Sequence, residues 1–221
     1  IKTTLAGTSA WLKVDRNKIV RIDLSNELDG TVNGFGNRFW KLLSSNFSSL
    51  ASDLTTSKVT SIEYTDRYLQ SPWYVILLGD IIRALPGDSN TNFELETLFN
   101  EKRHHGKCLH DDWFDSSDMQ AVISTWFDKG VSKPCYLDLH ENRDDIAHRR
   151  ELKLKFVNGN EYSISLDQGM GYWNHHLARN QHLFTFGELN DELTQMVEVW
   201  QKGNLKTKYD WQTVIYVVQT S

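Results

Sequence analysis

The longest regular pattern in the chain runs from His148 to Trp173. Leu152, Leu154 and Phe156 alternate with polar residues, which places them on one face of an extended strand. Asn158-Gly159-Asn160 follows, residues that tolerate a positive φ and favour a tight turn. Tyr162, Ile164 and Leu166 then line one face of a returning strand, and Gly169-Met170-Gly171-Tyr172-Trp173 ends the segment. The pattern predicts a β-hairpin with His148 and Arg150 at its mouth, to which the chain returns between Asp167 and Gly171.

The rest of the chain divides by the same criteria. Strands are predicted over Ala10 to Val14, Ile19 to Leu24, Lys58 to Tyr64, Pro134 to His140, Leu183 to Phe186 and Trp211 to Gln219. A helix is predicted from Phe35 to Leu50, with Phe39, Leu42 and Leu43 on one face. Another starts at Ser71-Pro72, a capping residue followed by a proline suited to the first turn, and runs to about Leu85. Its residues are apolar nearly all round, so it must be buried against a sheet. Phe93, Leu95, Leu98 and Phe99 fit a strand or a short helix. Helices are also predicted for Met119 to Lys129 and Asn190 to Gly203, and His175 to Gln181 is expected to be a polar connector. The order strand, helix, strand, helix, strand, hairpin predicts an α/β sandwich. Residues 1–54 are set apart as N-terminal strands and a helix linking to a further domain, with 55–221 as the main domain.

Composition narrows the function. The chain has 221 residues and eight Trp, enough apolar bulk for a real core. A net charge of −5 argues against a wholly basic nucleic-acid coat but leaves room for a local basic cleft. Two distant Cys make no disulfide framework, so a reducing, cytoplasmic setting is expected. No apolar run is long enough for a membrane span, and there is no polybasic tract for a membrane surface. The chain begins at Ile1 rather than Met and is expected to be part of a longer protein.

Three clusters carry candidate chemistry. His148-x-Arg150 at a strand start, beside a Gly-rich turn with a carboxylate, suits a phosphate: guanidinium binds phosphate oxygens bidentately and His can act as nucleophile. Gly34-Phe35-Gly36-Asn37-Arg38 has the look of a phosphate loop at a helix start, but lacks the Gly-Lys-Ser/Thr of a P-loop and is read as a turn. The knot from His104 to Asp112 concentrates metal-competent side chains but lacks the two spaced pairs of a zinc site, so no metal is expected.

The His148-x-Arg150 pair, the Asn158-Gly159 tip and the Gly169-to-Trp173 turn resemble the C-terminal domain of the MIT-domain proteins, a phospholipase D-like domain. A second matching segment is Ile62 to Leu69, a strand ending in Asp66-Arg67-Tyr68. The resemblance covers about residues 55 to 190. It implies a phospholipase D-like sandwich with a mixed sheet flanked by helices. It further implies a module that binds phosphodiesters, nucleic acid foremost, and leaves open whether it hydrolyses them as a metal-independent phosphodiesterase or nuclease. His148, Arg150 and Asp66 would be the catalytic residues; Arg150, Arg67, Gly169 and Gly171 would bind phosphate. Arg150 stands where active members carry Lys. No cofactor is implied. A single half-site implies a homodimer, appended to a larger bacterial protein such as a defence-type helicase or nuclease. The alternative is a non-catalytic dimerisation or docking module that binds a protein partner or an acidic membrane.

Overall fold

The computed structural model describes residues 18–69, 71–87, 90–99, 116–176, 202–207 and 210–221. The expected strands at Ala10 to Val14 and Leu183 to Phe186, most of the helix from Asn190 to Gly203, and the His104 to Asp112 knot lie outside them.

Two sheets organise the described residues. The larger has seven strands: β1 (Ile19–Leu24), β3 (Val59–Asp66), β4 (Asn92–Leu98), β5 (Cys135–His140), β6 (Arg150–Phe156), β7 (Glu161–Leu166) and β10 (Thr213–Gln219). Their order across the sheet is β1-β10-β7-β6-β3-β4-β5. β3 is the junction: it runs parallel to β4 and antiparallel to β6. The smaller sheet joins β2 (Gly30–Thr31), β9 (Asn204–Thr207) and β8 (Trp173–His176). The polar connector expected at His175 is thus in part a strand, held by pairing with residues distant in sequence that no local pattern reveals.

Among the described residues, four α-helices cover one face of the large sheet: α1 (Phe35–Asn46), α2 (Ser48–Thr56), α3 (Pro72–Arg83) and α4 (Ser116–Thr125). The mixed α/β architecture, a mixed sheet flanked by helices, is as the sequence predicts. Ile62, Tyr64, Leu95, Leu152, Leu154, Tyr162, Ile164 and Ile215 point to this covered face and are buried. Burial of side chains of this size contributes roughly 1.5–3 kcal/mol each before chain entropy is counted. The opposite face carries Glu63, Glu94, Lys153 and Lys155 and is laced by ion pairs such as Lys153 to Glu63 at 3.1 Å.

Local chemistry explains the details. Ser71 Oγ accepts a hydrogen bond from Tyr74 N and Pro72 opens α3. At its other end the buried Lys133 Nζ donates to the carbonyls of Ile82 and Leu85 at 2.9 and 3.1 Å, satisfying acceptors the helix leaves over. Pattern predicts one helix to Leu50, but the chain breaks at Phe47, whose extended backbone delivers its ring to Tyr162 at 5.9 Å. α4 starts at Ser116, earlier than expected, and passes into a π-helical turn at Trp126–Gly130. The Gly34 to Arg38 segment is a turn into α1. Gly36 N donates to the buried Asp80 carboxylate at 2.8 Å, which fills the place an anion would take.

Strand β1 lies in the same sheet as the rest, and α2 runs across position 54. No helix among the described residues is long and apolar enough to cross a membrane.

Candidate functional site

The site grows from the β3–β6 pairing. Asp66, the last residue of β3, lies opposite Arg150, the first of β6, so both side chains leave the sheet on the helix-covered face. The chain returns to this point after β7 through the 3₁₀ turn Gly169–Tyr172. Gly169 sits at φ +57°, and a Cβ there would stand 2.5 Å from Arg150 Cδ and 2.8 Å from Asp66 Oδ2. Only a glycine lets the turn close over the pair.

Asp66 is 1% exposed. Its Oδ2 accepts from Tyr64 Oη at 2.9 Å, its Oδ1 from Tyr68 N at 2.8 Å, and Arg150 Nε stands 3.7 Å from Oδ1. Burial pushes the Asp66 carboxyl up to about 6, against the opposing pull of Tyr68 N–H, Tyr64 O–H and the guanidinium. The Tyr64 phenol, fully enclosed and facing that carboxylate, is pushed well above its ordinary range and remains a donor.

Arg150 spends one nitrogen on the Asp167 carbonyl and lays its guanidinium over the Tyr68 ring, 4.5 Å from the centroid. Tyr68 Oη meets His148 Nε2 at 2.8 Å, and the two rings pack edge to face at 5.4 Å. The result is a graded stack. A buried carboxylate supports a half-buried arginine, the arginine supports a tyrosine, and the tyrosine holds an exposed histidine at the rim.

Of the residues expected from the sequence, His148, Arg150, Asp66 and Gly169 come together. Arg67 does not: it lies in the turn after β3, and its Nη2 donates to the carbonyls of Arg143, at 2.6 Å, and Ile146. It therefore ties down the loop before β6 instead of facing the histidine. Gly171 lies against the Tyr74 ring, with 3.3 Å from its would-be Cβ to Tyr74 Oη. Asp66 is too enclosed to touch a ligand. Two residues were missed, Tyr64 and Tyr68. They lie two places before and after Asp66, and the strand's period of two was the signal for Tyr64. The thiol of Cys135, pushed up to about 12 by burial, is no nucleophile.

A second group lies on the other face of the sheet. Glu96 on β4 and Asp138 on β5 are register partners, and His140 follows Asp138 on the same face. His140 Nε2 is 3.2 Å from Glu96 Oε1 and 3.6 Å from Asp138 Oδ2.

Comparison with known proteins places the chain. Over residues 18–219 it matches the family described as the DEAD/DEAH box helicase YjiV, C-terminal domain. No curated protein matches it. Among solved structures, the crystal structure of yeast tyrosyl-DNA phosphodiesterase is similar at a TM-score of 0.35 and 12% identity, over 90% of this chain and 31% of that one. The chain thus spans about a third of that enzyme's length.

Proposed function

The chain belongs to the family of the DEAD/DEAH box helicase YjiV C-terminal domain, and from that premise we propose that it is a phosphodiester-binding module of phospholipase D-like type serving nucleic acid. The carrying observation is the stack of Asp66, Arg150, Tyr68 and His148 at the open mouth of the hairpin. It holds a cationic group and an imidazole in fixed geometry where a backbone phosphate could approach, as charge-assisted binding requires. A helicase tracks a phosphodiester chain, which makes nucleic acid the ligand of choice.

Binding is favoured over hydrolysis. His148 has its Nε2 engaged by Tyr68, and a homodimer would set a second His148 opposite the first. The dimer, a cytoplasmic setting and a place in bacterial defence remain parts of this proposal. The kinship to the C-terminal domain of MIT-domain proteins belongs here too, since the family matched is that of the helicase.

The test is fluorescence anisotropy with labelled single- and double-stranded DNA, comparing wild type, His148→Ala and Arg150→Ala. Bis-p-nitrophenyl phosphate in EDTA serves as the hydrolysis control. We expect at least a tenfold weaker affinity in both variants, unchanged circular dichroism and no cleavage. Undiminished DNA binding in both variants would sink the proposal and favour a docking module. Cleavage that survives EDTA and disappears in His148→Ala would make the domain a metal-independent hydrolase.

A further inference from the structure

We propose that Glu96, Asp138 and His140 form a site for a divalent first-row transition cation, Zn²⁺ in the first instance, on the face of the sheet opposite the phosphate stack.

The backbone makes the site. β4 and β5 are parallel neighbours, Glu96 pairs with Asp138, and His140 lies two residues further along β5. The period of two sends all three side chains to one face at the carboxyl ends of the two strands. Their ligand atoms all lie within 4.8 Å of one another. The two separations at the imidazole, 3.2 and 3.6 Å, bracket the spacing of about 3.4 Å between donors that share a tetrahedral ion at bonds of about 2.0–2.2 Å.

The orientation of the imidazole is an independent indication. His140 Nε2 exposes less than 1 Å² and has no hydrogen-bond partner among the described residues, although two carboxylates stand beside it. A protonated histidine held by an ion pair would aim its N–H at one of those oxygens. Here the pair is close but not aligned. A cation held jointly by nitrogen and both oxygens would satisfy all three groups.

The surroundings support this. Thr65 Oγ1 donates to Glu96 Oε2 at 2.8 Å and so turns Oε1 towards the histidine, as outer partners orient metal ligands. A cavity of about 160 Å³, lined in part by Glu63, Glu94, Glu96, Asp138 and Tyr136, opens beside the trio. Its wall sets four carboxylates against the one guanidinium of Arg149, a net negative lining that draws cations in. One imidazole with two carboxylates suits Zn²⁺ better than Mg²⁺ or Ca²⁺, which take oxygen only. The ion would clamp β5, the edge strand among the described residues, to β4.

The test uses the whole 221-residue chain, stripped with EDTA and desalted. Zn²⁺ binding is followed by calorimetry, and the site is located by NMR with paramagnetic Co²⁺, which accepts the same ligands. We expect saturable binding, with Co²⁺ broadening centred on the carboxyl ends of β4 and β5. His140→Ala and Asp138→Asn should each weaken binding at that location at least tenfold. Circular dichroism without metal checks the fold; if His140→Ala does not fold, the isosteric Asp138→Asn at a side chain 61% exposed decides. Broadening centred elsewhere, or equal affinity in the variants, would overturn the proposal and leave the trio an ion pair. DNA binding is read separately, so neither result decides the other.

Discussion

The two ends of the β6–β7 hairpin each rest on a buried aspartate, and the two are built oppositely. At the tip, Asp53 from α2 accepts from Asn158 Nδ2 at 2.7 Å, Asn160 Nδ2 at 2.8 Å and Tyr162 Oη at 2.6 Å. Burial alone would push its carboxyl up, but the three donors together hold it below its ordinary value. At the mouth, Asp66 has a backbone N–H, one phenol and an arginine at 3.7 Å, and burial prevails. The tip carboxylate is a satisfied anchor. The mouth carboxylate is under-compensated, with an arginine packed above it.

The contrast can be broken most forcefully at the tip. Asp53→Ala leaves the buried Tyr162 hydroxyl and two partly exposed amides without their acceptor and should cost about 3 kcal/mol in urea unfolding, above a typical single substitution. A value under about 1 kcal/mol would mean that water replaces the carboxylate and that the tip is no anchor.

The next effect is in pH. Asp66 has a folded value of about 6 against an ordinary 3.8. Between these the unfolded chain loses its proton first, so the folded state binds more protons and stability falls as pH rises from about 4 to about 6, by up to about 3 kcal/mol. Asp66→Asn should remove this fall. Asp53 has the opposite sign: its depressed folded value gives stability that is present above the ordinary carboxylate range and lost as pH drops through that folded value. Stability of wild type, Asp66→Asn and Asp53→Asn, followed from pH 3 to 8, separates the two slopes; parallel curves for all three would refute the contrast.

Smaller effects sharpen it. Gly169→Ala forces a side chain into a left-handed position against Arg150 and Asp66, and should cost about 2 kcal/mol and weaken DNA binding together. A stable variant that still binds DNA would show that the turn does not hold the stack. Tyr68→Phe removes only the hydroxyl that meets His148. It should change stability by less than about 1 kcal/mol while weakening DNA binding severalfold. Unchanged affinity would confine Tyr68 to packing.

The hairpin was legible in the sequence because its period-two apolar face and Asn-Gly tip are local signals. Its mouth was legible only in part. His148 and Arg150 stood out as a pair, but Asp66 joins them across a β3–β6 pairing of residues 84 positions apart, which needed the resemblance to suggest it. Arg67, next to Asp66, looked equally suitable; it falls in the turn beyond the strand, where the Arg143 and Ile146 carbonyls take its guanidinium. Tyr68 stood in the matched Asp66-Arg67-Tyr68 segment but had no visible role, since its value comes from lying between two residues far along the chain. The break at Phe47 and the strand at Trp173–His176 were missed for the same reason: distant partners, Tyr162 and β9, decide them. The Glu96, Asp138 and His140 group was written in the alternation of two strands, but only their pairing aligns it.

The Asp53 clamp also acts as a ruler. β6 spans seven residues, so the tip lies about 20 Å from the mouth. Fixing Asn158, Asn160 and Tyr162 on one carboxylate fixes the phase of the hairpin against the helix layer. A slip of one residue along β3 would present Thr65 or Arg67 to Arg150 in place of Asp66. Length is therefore the property this domain can least vary: surface loops can grow, but an insertion within β3 or β6 would put the stack out of step with its own anchor.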